Sequence, residues 1–516
     1  MKRNILIISI MIISLIAVSC SKDYLNTTPS GSTSTETIFK TTGEAALAVN
    51  GLGKLMTMQH LQAQGFNGEG TVKMYYGNYQ GKHFTVNMPG WAVIINSDYF
   101  RNLDDIYDYY PWYYYYSITG NANTVILNID KALGTDSEKK YIKAQALSYR
   151  SYAFMMLSQL YCLRWSDSNG GASLGLVLRT DASDGDKERS TLAETYKKIY
   201  DDLDEAITLF TQSGIHRNNK LNYVMDIEVA YAIYARAALN RQDYTKAQEM
   251  AVKARNGYDL MSVADYKAGF SNPNQEWIWS AWGSSDETLY YFSYFAYIAY
   301  NSSSSAVKNS PKCISKELFD KIPDTDIRKS LFFNPADYNE PYNASTGQYT
   351  NSTVMEAGRA KGTNPSANIY AYMQFKIKCN DQPGVGHMNI FRSSEMYLIE
   401  AEAKYFLKDA NGAQNALIAL NKTSGRDTAY TCTKTGDELL NEIKNYRGLE
   451  LWGEGFDWFD VKRWGDSMER KSFAAGGSFI SDLAVSFGSQ EKNKWTWFIP
   501  SKEINYNKLA KQNIYD

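Results

Sequence analysis

The chain has 516 residues, with 54 Lys and Arg against 56 Asp and Glu, which gives a formal charge of −2. This balance provides no global attraction to nucleic acid or to an anionic membrane surface. With 44% hydrophobic residues, 21% charged residues and 11 Pro, the composition excludes collagen, a wholly disordered chain and a coiled-coil rod. The 40 Tyr are an excess of one residue type that combines an apolar ring face with a polar tip.

The N-terminus has the pattern of a secretory leader. Lys2 and Arg3 precede an apolar run that is too short for a permanent membrane span and that ends in Ala17-Val18-Ser19-Cys20, similar to a bacterial lipobox. We expect residues 1–19 to be a lipoprotein signal peptide, Cys20 to be lipidated, and residues 20–36 to form a flexible tether. Ordinary secretion, with Cys20 incidental, is the alternative.

Helical periodicity dominates the body of the chain. Apolar residues recur at steps of three and four over residues 139–163, 191–210, 226–240 and 244–255. Small residues between Ala235 and Ala254, and again between Ala401 and Ala416, resemble half of a tetratricopeptide repeat. We predict an all-α fold, a tetratricopeptide-like helical repeat scaffold with long aromatic-rich loop insertions. Unrelated amphipathic helices with incidental Ala are the alternative.

The predicted segments alternate between helix pairs and insertions. We place helix pairs at about residues 118–163, 191–255 and 391–421, and ligand-binding insertions at about residues 65–116 and 271–390.

A motif near the C-terminus resembles a known family. The stretch Arg447-Gly-Leu-Glu450-Leu-Trp-Gly-Glu454-Gly-Phe-Asp457-Trp-Phe-Asp460 is similar to the C-terminal signature of the SusD/RagB family, the surface glycan-binding lipoproteins of Bacteroidetes. Other matches in the same order are Asp23-Tyr-Leu after Cys20, Phe391-Arg392 before Glu395, and Phe498-Ile-Pro500. We expect the aromatic residues of the signature to serve packing rather than chemistry.

Two positions depart from the family pattern. Tyr446 stands where the family commonly has Glu, and Asp457 stands where it often has Arg. Because Asp457 places an anion beside Glu454 and Asp460, we expect the family's ion-pair network to be incomplete here.

The resemblance implies a single SusD-like α-helical domain over residues 37–516, anchored by lipid to the outer membrane and exposed at the cell surface. It implies a non-catalytic protein without a cofactor that binds an oligosaccharide and delivers it to a SusC-like TonB-dependent outer-membrane transporter. The alternatives are a peptide-capturing RagB-like lipoprotein, a surface glycosidase, and a repeat protein that scaffolds other proteins.

Aromatic residues concentrate in the two insertions. A sugar ring packs its C–H face on an exposed aromatic plane, while polar side chains bond its hydroxyls. Core packing is the alternative for every ring, and it is strongest for Tyr107 to Tyr116. The resemblance places the family's glycan platform in these insertions, and the candidates for glycan binding are Tyr75, Tyr76, Tyr79, Trp91, Trp282, Tyr290, Tyr291 and Tyr294.

Three weaker patterns complete the sequence. Gly171-Ala-Ser173-Leu-Gly175 matches the nucleophile elbow as a string, but a predicted helix precedes it and a strand-like run follows, so we expect a turn. The segment Asp184-Gly-Asp186-Lys-Glu188 is a weak calcium candidate, with a solvated acidic loop as the alternative. No zinc-ligand spacing is present among the cysteines after Cys20, which are either free thiols or include one disulfide: Cys162, Cys313, Cys379 and Cys432.

Overall fold

The computed structural model describes residues 35–87, 92–98, 103–181, 183, 185–218, 220–284 and 292–515. Its α-helices in these ranges are α1 (Thr35–Ile38), α2 (Thr42–Leu55), α3 (Gly68–Thr71), α4 (Ala92–Ile95), α5 (Ile106–Asn128), α6 (Asp136–Tyr161), α7 (Leu192–Ser213), α8 (Ile227–Asn240), α9 (Tyr244–Ala254), α10 (Val263–Tyr266), α11 (Tyr294–Ile298), α12 (Ser305–Lys308), α13 (Lys316–Phe319), α14 (Ser352–Ala360), α15 (Ser393–Phe406), α16 (Ala410–Ile418), α17 (Gly436–Glu450), α18 (Asp457–Trp464), α19 (Lys492–Trp495) and α20 (Ser501–Tyr506). Within the same ranges, no helix is both long and apolar enough to cross a bilayer.

Short antiparallel strand pairs connect distant parts of the chain. They are β1 (Phe84–Thr85) with β3 (Cys313–Ile314), β2 (Trp277–Ala281) with β4 (Met388–Arg392), and β5 (Met468–Glu469) with β6 (Ser486–Phe487). Each sheet has two strands, so helices carry the architecture and the predicted all-α class is confirmed. The β1–β3 pair also joins the two predicted insertions.

The periodic stretches of the sequence form α6, α7, α8 and α9, with ends that differ from the prediction by a few residues. Each helix packs against its neighbour in the chain, and α15 packs against α16 in the same way. Local chemistry fixes the helix starts: the Thr191 hydroxyl accepts a hydrogen bond from the Glu194 N–H, and the Glu194 carboxylate accepts one from the Thr191 N–H at 2.7 Å. Assignment of these pairs to the tetratricopeptide repeat stays a prediction.

The tyrosine run after residue 106 is a helix rather than a loop, which corrects the predicted end of the first insertion. α5 begins at Ile106, where the Asp105 carboxylate accepts the Tyr107 N–H at 3.0 Å. The rings of Tyr110 and Tyr114, one helical turn apart, stack with centroids 5.7 Å apart, and both side chains are fully buried. Core packing, the stronger alternative for this run, is therefore confirmed for these residues.

The signature stretch packs against the first insertion. A π-helix, Val72–Asn78, lies so close to the loop before α18 that a Cβ on Gly77 would come within 2.2 Å of the Gly455 carbonyl oxygen. The Asn78 side chain spans the same contact: its amide donates to the Gly453 carbonyl and its oxygen accepts the Gly455 N–H, both at 2.8 Å. A side chain at position 77 would force the two segments apart.

A balanced set of buried charges lies under the signature. Arg392 donates to Glu450 at 2.6 Å and to Glu454 at 2.8 Å, and four cations face four carboxylates without access to water. We call this set the charge network, and its members are Glu276, Asp326, Arg328, Lys376, Arg392, Arg426, Glu450 and Glu454. Because every charge has an opposite partner, burial is compatible with ionisation. The signature therefore has a structural role, as expected.

The expectation of an incomplete ion-pair network around Asp457 is wrong. Glu454 is paired with Arg392, and Asp460 with Arg447 at 2.7 Å and with Arg463 at 3.0 Å. Asp457 takes no part in these pairs, and its Oδ2 accepts the backbone N–H of His83 at 2.6 Å. The carboxylates beside Asp457 thus have cations of their own and do not need one at position 457.

Candidate functional site

A cavity of about 480 Å³ lies between the two predicted insertions. We call it the insertion cavity. Residues on both sides of the β1–β3 pair contribute to it, and they are Gln64, Tyr79, Val86, Phe292, Tyr297, Ser304, Ser305, Ala306, Asn309, Ser310 and Lys312.

Local structure holds the two sides of the insertion cavity together. Phe84 is opposite Ile314 in the strand register, and beyond the strand the Asn87 N–H donates to the Ser310 hydroxyl at 3.2 Å. Ser304 caps the short helix α12, and Asn309 ends it. The turn after α12 therefore presents its polar side chains beside the strand that follows Tyr79.

Aromatic residues from both insertions meet behind the cavity. Tyr75 stacks on Tyr79 with ring centroids 5.7 Å apart, and its hydroxyl donates to the Tyr297 hydroxyl at 3.0 Å. Burial raises the pKa of the Tyr79 phenol well above its ordinary value. Half-buried Phe292, with its ring 6.4 Å from that of Tyr297, supplies the more accessible apolar surface.

Polar groups form the rest of the lining. Gln64, Ser305 and Asn309 are exposed at the rim. The buried Lys312 ammonium donates to the Ala306 carbonyl at 2.8 Å and to the Ser310 carbonyl at 2.6 Å, and lies 6.0 Å from the centre of the Tyr79 ring. Burial lowers the pKa of Lys312 to about 7. The cavity thus combines an apolar wall with hydroxyl, amide and ammonium groups.

Four predicted glycan-binding aromatics are core residues, which corrects their assignment to an exposed platform: Tyr75, Tyr76, Tyr79 and Tyr294 are 3%, 0%, 1% and 8% exposed. The hydroxyls of Tyr75, Tyr76 and Tyr294 donate hydrogen bonds, which explains why these polar rings can be buried. That of Tyr76 donates to the Tyr107 carbonyl at 2.6 Å, and that of Tyr294 to the Gly453 carbonyl at 2.8 Å.

Trp282 is exposed as predicted, but it lies elsewhere. Its side chain is 45% exposed and borders a separate cavity of about 460 Å³, with the Tyr223 ring 5.0 Å away and the His387 ring 4.6 Å away. The structure therefore does not bring Trp282 together with Tyr79. Three further candidates, Trp91, Tyr290 and Tyr291, lie outside the described residues.

Neither the Ser173 motif nor the calcium candidate has the surroundings of a catalytic or metal site among the described residues. Ser173 lies in a turn, and its backbone N–H donates to the Ser168 carbonyl. No described side chain is within hydrogen-bonding distance of the Ser173 Oγ. Neither a strand before it nor a helix directly after it is present, as the turn prediction requires. Of the calcium candidates, Asp186 accepts the Lys508 N–H at 2.9 Å, Glu188 is exposed, and Asp184 lies outside the described residues.

Other groups that could bind a metal are dispersed. Within the part of the chain that the structure describes, no three His, Cys, Asp or Glu side chains are grouped for metal coordination. The cysteines in that part are free and buried, which settles the disulfide question for Cys162, Cys313, Cys379 and Cys432.

Sequence reasoning missed the polar side of the insertion cavity. Lys312 immediately precedes a strand of two residues, too short to show alternation, and Asn309 follows a helix of four residues. Only the pairing of Thr85 with Cys313, more than two hundred residues apart in the chain, brings them to the first insertion. The Asn-Ser-Ser-Ser-Ser stretch from Asn301 was the available signal, since it follows the second aromatic zone directly.

The helical fold carries a cavity that is lined by both apolar and polar side chains. A sequence model of the SusD family matches residues 232–515, and a second model, described as starch-binding associating with outer membrane, matches residues 31–239. The first match spans more than half of the chain, and the chain therefore belongs to the SusD family.

Solved structures share the fold over nearly the whole chain. A SusD-like carbohydrate binding protein from Bacteroides vulgatus is 24% identical, with a TM-score of 0.74 over 92% of this chain and 98% of that chain. A SusD superfamily protein from Bacteroides thetaiotaomicron is 22% identical, with a TM-score of 0.73 over 92% and 100%. Surface glycan-binding protein A from Bacteroides thetaiotaomicron, solved with laminarihexaose, is 17% identical, with a TM-score of 0.65 over 92% and 99%. No match was found among the curated proteins.

Proposed function

We propose that this protein binds an oligosaccharide in the insertion cavity, without catalysis, and delivers it to a SusC-like TonB-dependent outer-membrane transporter. The observation that carries the proposal is the composition of the cavity: Phe292 and Val86 offer apolar contact, while Gln64 and Asn309 offer amides at the rim. Sugars present these two kinds of surface together. Family membership and the glycan complex of a structural neighbour support the same ligand class.

Binding to soluble glycans tests the site. We expect Gln64→Ala and Asn309→Ala each to weaken binding about fivefold, since one net hydrogen bond contributes about 1 kcal/mol. Both side chains are exposed, so the melting temperature should stay nearly constant. Gln490→Ala, which removes an exposed amide outside the cavities described, is the matched control. Affinity gels and calorimetry measure binding on the same preparations, and wild-type affinity in both rim variants would overturn the site.

Trp282 is a second proposed glycan contact, in its own cavity. The exposed ring of Trp282 contacts the ring of Tyr223. Gln145 lines the same cavity. A stacking aromatic contributes roughly 1–3 kcal/mol, with base stacking as the nearest analogue. Trp282→Ala is therefore expected to weaken glycan binding by about tenfold, and unchanged affinity would remove this residue from the site.

The absence of a reaction is part of the proposal. Ser173 Oγ has no described side chain in hydrogen-bonding reach that could act as its base. Incubation of each bound glycan with the protein, followed by analysis of reducing ends, should show no product. Product formation would restore the glycosidase alternative, and its loss in Ser173→Ala would assign the reaction to Ser173.

The anchor at Cys20 is tested separately. We propose that its acylated thiol holds the protein at the outer membrane with the body exposed at the cell surface. Cys20→Ala should abolish labelling by a palmitate analogue and shift the protein from the membrane fraction to the soluble fraction. A mutant that is still labelled would contradict the anchor.

Co-purification with a barrel transporter encoded nearby tests the proposed transporter partner.

A further inference from the structure

Lys312 is the only charged side chain among the described residues that line the insertion cavity. Its side chain is 2% exposed. The two carbonyls of Ala306 and Ser310 accept two of its three N–H groups, and no ion pair joins it to a described carboxylate. This arrangement contrasts with the charge network, where each buried cation has an anion.

A buried ammonium without an anion is unfavourable. Carbonyl dipoles compensate only part of the lost hydration, so the site favours the arrival of negative charge or the loss of the proton. The cavity provides room for a ligand, and its aromatic and amide groups suit a sugar. An anionic sugar would supply the missing charge.

We propose that the insertion cavity takes an acidic oligosaccharide, whose uronic acid carboxylate pairs with Lys312. This inference rests on the proposed function, because it specifies the class of glycan that the same cavity binds. Carboxylate and ammonium would form a charge-assisted hydrogen bond in a water-poor position, where such bonds are stronger than at the surface. Gln64 and Asn309 would bond the hydroxyls of the neutral part of the ligand.

Pairing should also couple binding to proton uptake. Lys312, with a pKa of about 7, is partly neutral at pH 7.5, and a bound carboxylate would raise that pKa. The other titratable groups around it are the phenols of Tyr79 and Tyr297 and the thiol of Cys313, and burial raises the pKa of each of them. None of these three changes charge between pH 6.5 and about 8.5, so a pH effect in this range would come from Lys312.

Matched glycans test the charge preference. The probes are uronic acid oligosaccharides of several linkages, each paired with its carboxyl-reduced, neutral counterpart, and calorimetry measures their affinity for the full-length protein. We expect at least one acidic member to bind tenfold or more tightly than its neutral counterpart. If neutral members bind and acidic members bind no better, the acidic-sugar inference is wrong while the proposed function stands. If no member binds while other soluble glycans do, the acidic-sugar inference is wrong and the proposed function stands, and if no glycan of any class binds, both fail.

Two further measurements assign the preference to Lys312. Lys312→Gln keeps a hydrogen-bond donor for the carbonyls and removes the charge, so it should abolish the acidic preference and bring the ratio of acidic to neutral affinity to about one. Lys308→Gln removes the same charge outside the cavity lining and is the control. The second measurement uses the wild-type protein, so it does not depend on whether a variant folds. Acidic ligands should bind to it with proton uptake at pH 7.5, and they should bind more weakly at pH 8.5 than at pH 6.5. No proton uptake and equal affinities would overturn the assignment.

Discussion

Asp457 is a half-buried residue whose carboxyl group has one strong hydrogen bond and no ion pair with a described cation. Burial raises its pKa from 3.8 to about 7. A raised pKa in the folded state adds stability that is fully present below about pH 4 and is lost as the pH rises through about 7. Asp457→Asn keeps an oxygen to accept the His83 N–H and removes the charge. We expect its melting temperature, relative to wild type, to increase steadily from pH 4.5 to pH 8.

The control for this titration is Asp482→Asn, because Asp482 is exposed. Its melting curve should follow that of the wild type at every pH. If the Asp457→Asn curve also runs parallel to the wild type, the carboxyl of Asp457 is already ionised at pH 5 and the argument from burial is incorrect.

Trp279 and Trp282 allow a matched test of whether a tryptophan is an exposed binding residue or a core residue. Trp279 is 1% exposed and Trp282 is 45% exposed. Truncation of a buried Trp to Ala costs about 3–5 kcal/mol of folding free energy, whereas an exposed ring loses far less. Thermal and urea melts should therefore show a large loss for Trp279→Ala and a small one for Trp282→Ala. Equal losses would mean that Trp282 also belongs to the core.

At the scale of single elements, the start of α7 depends on a reciprocal cap. Thr191→Ala removes the hydroxyl that accepts the Glu194 N–H and should cost about 1 kcal/mol. Thr191→Ser retains the hydroxyl and should restore most of the loss. Urea denaturation curves measure both differences, and an equally destabilised Ser variant would show that the methyl group, rather than the cap, matters.

Elements were predictable where a long pattern repeats. α6 to α9 each carry a stripe of apolar residues over three or more turns, which one sequence displays without help from its neighbours. The start of α5 was missed because most residues of its first three turns are aromatic, so the sequence shows no contrast between an apolar and a polar face of the helix. The π-helix before Tyr79 likewise has no simple periodicity, since all of its residues are buried.

The candidate site was predictable only in outline. The two insertions do meet, as the resemblance implied, but which rings face outward depends on contacts between residues far apart in the chain. Tyr75 and Tyr297 illustrate this: each lies in a polar-flanked aromatic zone, and each is buried because the other is there to accept or donate a hydrogen bond. Nothing in the sequence around Lys312 predicts that this residue lines a cavity.

At the scale of the whole molecule, the charge network makes the stability of the core depend on a few buried charges that share partners. Arg392→Met should leave the carboxylates of Glu450 and Glu454 without their shared cation and destabilise the fold by about 3–5 kcal/mol. Arg241→Met breaks a surface pair with Asp243 and should cost about 1 kcal/mol or less. Chemical denaturation compares the two, and similar small losses would show that the buried carboxylates find other partners or protons.

The same network has a consequence for biosynthesis. Glu276 is made long before Glu450 and Glu454, yet Arg392 pairs with all three in the folded protein. A nascent or translocating chain that has not yet delivered its last seventy or so residues holds the four cations of the network but only two of its four carboxylates, and burying the excess positive charge is too costly. Copies truncated before Glu450 are therefore expected to stay open to proteases, so that only complete chains persist. Limited proteolysis of a stop-codon series across residues 440–460 would show protection appearing abruptly rather than gradually.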